Sequence, residues 1–225
     1  MKKIVIFGLG ETAQLAYEYF THDPDYADHE VVGFCSDPQY IKSSDFLGLP
    51  VISIDKITDK FPPADYYAFA AAGSGHLNRD RESLYNKAKD KGYRLASYIS
   101  SRAFVWPNVE IGENCFILED NTLQPFTKVG NNVVLWSGNH IGHRSEIKDH
   151  CFITSHVVIS GFCTIGAYSF IGVNAAFADK VKVAPDNFIA MGAVINKNTE
   201  QNGFYVGNPM VLKKITAKRF CKLKE

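Results

Sequence analysis

The chain has 225 residues, 46% hydrophobic and 21% charged, with 24 basic and 24 acidic side chains and no formal net charge. That length supports one large domain or two small ones, and the neutral balance excludes, at whole-chain level, the basic footprint of a nucleic-acid-binding protein. The longest apolar stretch, 66–73, is too short to span a bilayer, so no membrane partner is expected.

Residues 1–100 read as alternating strands and helices. KKIVIF (2–7) is a continuous apolar run of strand type, in which Glu11 follows too early for a signal peptide. GLGETA then leads into a helical pattern through AQLAYEYF. HEVVGFCSD (29–37), LPVISI (49–54) and DYYAFAAAG (65–73) are further strands, NRDRESLYNKAKDKGY is a charged helix, and RLASYIS is a last strand. Strands and helices alternating at this length predict a parallel α/β sheet.

The spacing of Gly8, Gly10 and Ala13, after a strand and before a helix, puts backbone N–H groups beside a phosphate. Asp37, at the end of the second strand, is placed to accept a bond from a ribose or base. Three readings stay open for this loop: a dinucleotide site, a mononucleotide-sized site and a tight turn without ligand. A domain of this size suits the second best, since it is too short for a full dinucleotide fold plus a substrate domain. Gly73, Asn78 and Arg81 follow the fourth strand, at the sheet edge where open α/β folds bind ligands, and a guanidinium suits a phosphate.

From Ala103 to Asn198 the grammar changes. Sixteen consecutive hexapeptides carry an aliphatic or aromatic residue at their third position, from Val105 and Ile111 to Ile189 and Ile195. The first position is always small. A period of six fits neither a helix nor an alternating strand; it is the signature of a parallel β-helix, one short strand and one corner per hexad. Strand alternation points the first and third residues inward. Cys115, Cys151 and Cys163 fall at first positions and read as core fillers. With neither a disulfide framework nor zinc spacing among the five cysteines, a cytoplasmic location is expected.

Three hexads make one coil, so residues eighteen apart stack. His140, His143, His150 and His156 crowd into 136–156. His140 is at an outward strand position, His143 and His156 are at corners, and spacing alone does not choose among them. Asn121 and Asn139, at inward positions, read as an interior amide ladder. No metal is expected, because no carboxylate is placed to complete a set. After Asn198, Gly207 and Pro209 signal a turn, and Lys213 to Glu225 carries six Lys/Arg and one Glu. This tail is either a solvated terminal helix or a contact for a phosphate-bearing cofactor, with Lys213 first in line.

Glycine loop, Gly/Asn/Arg segment, hexapeptides and the closing VGNP together resemble the bacterial nucleotide-sugar acyltransferases, over essentially the whole chain. That family includes the acetyltransferases for UDP-4-amino sugars on the bacillosamine route and the sialic acid O-acetyltransferase group. The resemblance implies a Rossmann-like nucleotide-sugar-binding domain (1–100), an all-β left-handed parallel β-helix (101–200) and a C-terminal extension (201–225). It implies a homotrimer with active sites between neighbouring helices and acetyl-CoA as co-substrate along the groove. His143, in NHIGHRSEIK, matches the family's catalytic base; Gly161, Val173 and Met191 match positions that approach the thioester and the pantetheine arm. Where the family often has a carboxylate after the histidine, this chain has Arg144, so an orienting group is expected from elsewhere, such as another subunit. The expected activity is acetyl transfer to the amino group of a nucleotide-linked sugar, with imidazole as general base. Alternatives are sugar O-acetylation, a non-catalytic nucleotide-sugar-binding module and, from the glycine loop alone, an NAD-dependent oxidoreductase.

Overall fold

The computed structural model describes residues 1–223. The N-terminal part is an α/β unit with strands β1 (Lys2–Phe7), β2 (His29–Ser36), β3 (Asp45–Phe46), β4 (Leu49–Ser53), β5 (Tyr66–Ala70) and β6 (Arg94–Leu95). They form one sheet in the order β3-β4-β2-β1-β5-β6, parallel except for the β3–β4 hairpin. Helices α1 (Glu11–His22), α2 (Ile57–Lys60) and α3 (Arg79–Asp90) connect them. The uninterrupted apolar run of β1 follows from its central place, since both of its faces are covered. Ile4 and Ile6 pack with Ala13, Ala16 and Phe20 of α1. Val5 and Phe7 face the other way, against Ile57, Phe61, Ala88 and Tyr93.

The rest is a left-handed β-helix of two-residue strands in three sheets of eight, six and five strands. The coil period of eighteen is visible in the pairings Phe116–Val134, Val134–Phe152, Phe152–Phe170 and Phe170–Phe188. Third-position residues such as Ile117, Leu135, Ile153 and Ile171 are fully buried, and so are the small first-position residues from Cys115 to Ala193. Asn121 and Asn139 do not bond to each other. Their amides donate to corner carbonyls, Asn121 to Leu118 and Trp136 and Asn139 to Trp136, which closes each turn from inside.

The expected last strand, 94–100, divides in two. Arg94–Leu95 pairs with β5, whereas Tyr98–Ile99 pairs with Phe116–Ile117 of the β-helix. The β-helix therefore starts at Tyr98, before residue 101, and the boundary falls inside what reads as one strand. At the other end, Phe204–Val206 extends the first sheet and Val211–Leu212 closes it in antiparallel fashion.

The three outer faces differ. The first, Phe116, Val134 and Phe152, is buried against the α/β unit in one core with Phe20 and Phe69. Each large side chain so covered contributes roughly 1.5–3 kcal/mol. Farther along, Phe170, Phe188 and Phe204 continue the ladder, capped by Phe220 of helix α4 (Ala217–Phe220), whose ring stacks on Phe204 at 4.3 Å. The second face carries Thr122, His140, Val158 and Ala176; the third carries Glu110, Lys128, Glu146 and Lys182.

Candidate functional site

A cavity of about 1070 Å³ opens at the C-terminal ends of β1, β2 and β5. Gly8, Gly10, Asp37 and Gly73 all line it. The two loop glycines serve different ends. Gly8 has φ +136°, and a Cβ there would lie 2.3 Å from the Ala71 carbonyl oxygen, so the fold itself demands glycine. Gly10 is the N-cap of α1, and a Cβ there would meet nothing within 4 Å. No packing requires glycine at Gly10; what an added side chain would take is the space before the first turn of α1, where unpaired N–H groups favour an anion. Asp37 is held by Lys87, at 2.8 and 2.7 Å to its two oxygens.

Asn78 and Arg81 are not in this cavity, and the expectation that they bind phosphate is corrected. Both side chains turn to the β-helix and are buried there. Asn78 donates to the carbonyls of Tyr168 and Ser169. Arg81 donates to those of Asn132, His150 and Cys151, with its guanidinium 5.4 Å from the Phe152 ring. Burial without a carboxylate partner pulls its pKa down to about 10. On the same seam, Asn114 exchanges two hydrogen bonds with Ala70, 2.7 and 3.1 Å long. These residues join the two parts rigidly.

The histidines sort by corner. His150 lies at the corner between third and first faces, stacked on Tyr168 at 4.9 Å and bonded to Asn132; burial lowers its pKa and keeps it neutral. It belongs to the seam. His140 is half-buried on a second-face strand. His143 is exposed at the corner between second and third faces. Its N–H donates to Gln124 Oε1 at 2.9 Å, and its ring meets Phe162 edge-on at 4.9 Å. The ring lies so close over Gly161 that a Cβ there would be 2.6 Å from His143 Cε1. The structure thus brings His143 and Gly161 together, and among the described residues nothing accepts the Gly161 N–H or bonds the imidazole nitrogens. Arg144 holds its guanidinium 4.3 Å from the centre of the Phe126 ring. His156 makes a similar stack on Gly138 at the corner between first and second faces.

Val173 and Met191 are also on that first-to-second corner, linked through the Gly192 N–H to the Val173 carbonyl, and Met191 is 74% exposed. One chain therefore does not bring them to His143. Lys213 follows the closing edge strand, and its N–H bonds Phe204. Phe104, Trp106, Phe126, Val158 and Phe162 leave the second face and its corners apolar and exposed. The sequence reading missed Thr12, His76, Asp80 and Lys87 on the cavity wall; their positions just beyond β1 and β5 and along α3 were the available signal. Burial raises the Cys115 and Cys151 thiols to about 12, which makes them inert. Among the described residues no cluster of three or more metal-ligating side chains occurs and no helix is long and apolar enough to cross a membrane.

The fold is a left-handed β-helix with a six-residue repeat, joined to an α/β unit. Residues 126–161 match the family "bacterial transferase hexapeptide (six repeats)". Along almost its whole length the chain has the fold of solved acetyltransferases. The acetyltransferase domain of PglB from Neisseria gonorrhoeae superimposes with TM-score 0.82 at 22% identity, covering 95% of this chain and 100% of that one. Perosamine N-acetyltransferase from Caulobacter crescentus, solved with CoA and GDP-perosamine as a histidine-to-asparagine variant, gives 0.83 at 21% identity over 96% and 98%. Among curated sequences, UDP-3-O-acylglucosamine N-acyltransferase of Methylococcus capsulatus is 26% identical over 122 residues, 54% of this chain. The chain spans only 33% of that relative's length.

Proposed function

We propose that the protein is an acetyl-CoA-dependent acetyltransferase acting on the amino group of a nucleotide-linked sugar, with His143 as general base. The observation that carries this reading is the stack of an exposed, unbonded imidazole on Gly161, whose N–H is also unbonded. An amine nitrogen attacking a thioester carbonyl forms the C–N bond; the imidazole takes up its proton. The tetrahedral oxyanion is met by the Gly161 N–H. Collapse breaks the C–S bond, and the proton is handed to the departing thiolate. The Rossmann-like domain binds the nucleotide, with its diphosphate against Gly8–Gly10. Acetyl-CoA lies along Val173 and Met191 of a neighbouring copy in a homotrimer, with Lys213 toward its phosphates. Cytoplasmic location belongs to the same reading. Support comes from the whole-chain likeness to enzymes solved with acetyl coenzyme A and with CoA plus GDP-perosamine.

A purified-protein screen for thiol release from acetyl-CoA, against UDP-, dTDP- and GDP-linked amino sugars, tests it. Release with at least one acceptor, lost in His143→Ala, is expected; silence across the panel contradicts it. One observation favours a second reading, a nucleotide-sugar-binding module without turnover. Among the described residues no carboxylate orients His143, and Arg144 stands next to it. Tight nucleotide-sugar binding with no thiol release would select that reading.

A further inference from the structure

The loop between β5 and α3 is built in an unusual way. His76, Leu77 and Asn78 have φ of +49°, +50° and +68°, three consecutive non-glycine residues in the left-handed region. L-residues visit that region singly and at a cost, and such strain persists only where surrounding contacts over-determine it. Here the contacts come from behind. Leu77 is fully buried, Asn78 is bonded to the Tyr168 and Ser169 carbonyls, and Arg79 is paired with Asp186 and lies 3.6 Å from the Tyr168 ring centre. The β-helix thus fixes the loop, and the loop fixes a side-chain pair at its front. His76 Nδ1 lies 2.8 and 3.0 Å from the two Asp80 oxygens. Gly75 makes room for this pair, since a Cβ there would be 2.2 Å from Asp80 Oδ2.

Both members line the cavity. The wall also carries Glu11, Asp37 and Asp45, which oppose an anion, and Lys87 is committed to Asp37. Lys42 and His76 are the other basic side chains on the cavity wall. With Nδ1 taken by Asp80, Nε2 is the free ring nitrogen of His76, which lines the same cavity as Gly10 and Glu11 at the start of α1. We propose that His76, as the imidazolium with its Nδ1 proton on Asp80, is a binding residue for the diphosphate of the acceptor, donating from Nε2, and that Asp80 is its positioning residue. The inference rests on the acceptor site proposed above and adds a side-chain wall to a slot otherwise made of backbone.

Titration calorimetry of the full chain with UDP, GDP and dTDP, and with the corresponding nucleosides, tests it. His76→Ala is expected to weaken the nucleoside diphosphate that binds by about tenfold or more, as for loss of a charge-assisted hydrogen bond. Nucleoside affinity, acetyl-CoA affinity and the melting curve should not move. Asp80→Asn keeps an acceptor for the Nδ1 proton and should stay within about threefold of wild type, whereas Asp80→Ala should reproduce the His76→Ala loss. Unchanged diphosphate affinity in His76→Ala, or equal weakening of the nucleoside, overturns the assignment of His76 alone. Failure of wild type to bind any of the three diphosphates overturns the acceptor reading, and this inference with it.

Discussion

The cavity of the α/β unit and the His143 corner of the β-helix make opposite kinds of site. The cavity is enclosed by one chain, and much of its character is backbone: a glycine loop, a helix start, a strained loop pinned from behind. The corner is a single exposed side chain over a bare peptide, with aromatic rings beside it. The first resembles a finished binding site. The second resembles half of one, which is what a reaction centre shared between copies looks like in isolation. Removing groups should therefore affect the two regions in different kinetic constants.

The largest effect is expected at the corner. His143→Ala should lower kcat by about 10² to 10⁴, the usual worth of a general base, with circular dichroism and oligomer mass unchanged. His156→Ala, on the other corner, should stay within severalfold of wild type. Reversal of the two results would move the base to His156 and break the comparison as drawn.

Next comes the seam between the regions. Arg81→Ala removes a fully buried guanidinium and leaves the Asn132 and His150 carbonyls without this donor, while the Cys151 carbonyl keeps only the Val134 N–H. A loss of about 3 kcal/mol is expected, which for a chain of this size lowers Tm by about 6–12 °C. A Tm within a degree or two of wild type would mean the parts are not held by this residue.

Gly10→Val should raise the KM for the nucleotide sugar by about tenfold, since it fills the approach to the α1 N-terminus, and leave the KM for acetyl-CoA alone. Gly8→Val should instead impair folding, because its Cβ would sit on the Ala71 carbonyl. Equal weakening of acetyl-CoA by Gly10→Val, or micromolar binding of NAD by wild type, would reopen the oxidoreductase reading. Light scattering at micromolar concentration should give a trimer; a monomer would leave the corner permanently incomplete.

The smallest expected effect is acidic weakening of the seam. Burial opposes ionisation of Glu119, but hydrogen bonds from Ser137 and Tyr19 outweigh it, and its pKa falls below the ordinary 4.5. A depressed carboxylate pKa gives stability that is present above the unfolded value and lost as pH falls through the folded one. Tyr19→Phe should therefore reduce Tm slightly at pH 7, with the difference fading below pH 4.5.

The β-helix was legible because its constraint is local and repeated. Each inward position sees the same narrow interior, so Ile117, Leu135 and Ile153 recur at fixed spacing. The glycine loop was legible from its spacing between a strand and a helix, although the contact that demands Gly8 is with the distant Ala71 carbonyl and Gly10 meets nothing within 4 Å. Asn78 and Arg81 were misplaced because a segment leaving β5 has two sides, and only contact with a distant coil decides which side a residue takes. The phenylalanine ladder at Phe116, Phe152, Phe170 and Phe188 was a readable sign of such contact, since outward positions of a free face do not need large rings. Choosing His143 over His156 rested on resemblance; both rings lie over a glycine, but the Gly138 N–H is bonded to the Glu119 carbonyl whereas that of Gly161 is unbonded among the described residues.

The most direct test joins the two regions in one measurement. Thiol release from acetyl-CoA should be followed with one amino sugar in two forms, linked to a nucleoside diphosphate and free, each at equal concentration. If the cavity holds the nucleotide while the corner acetylates the sugar amine, only the linked form turns over efficiently, and added free nucleoside diphosphate inhibits it competitively. Equal turnover of the free sugar, or linked turnover indifferent to the nucleotide, would contradict the division of labour between the two sites.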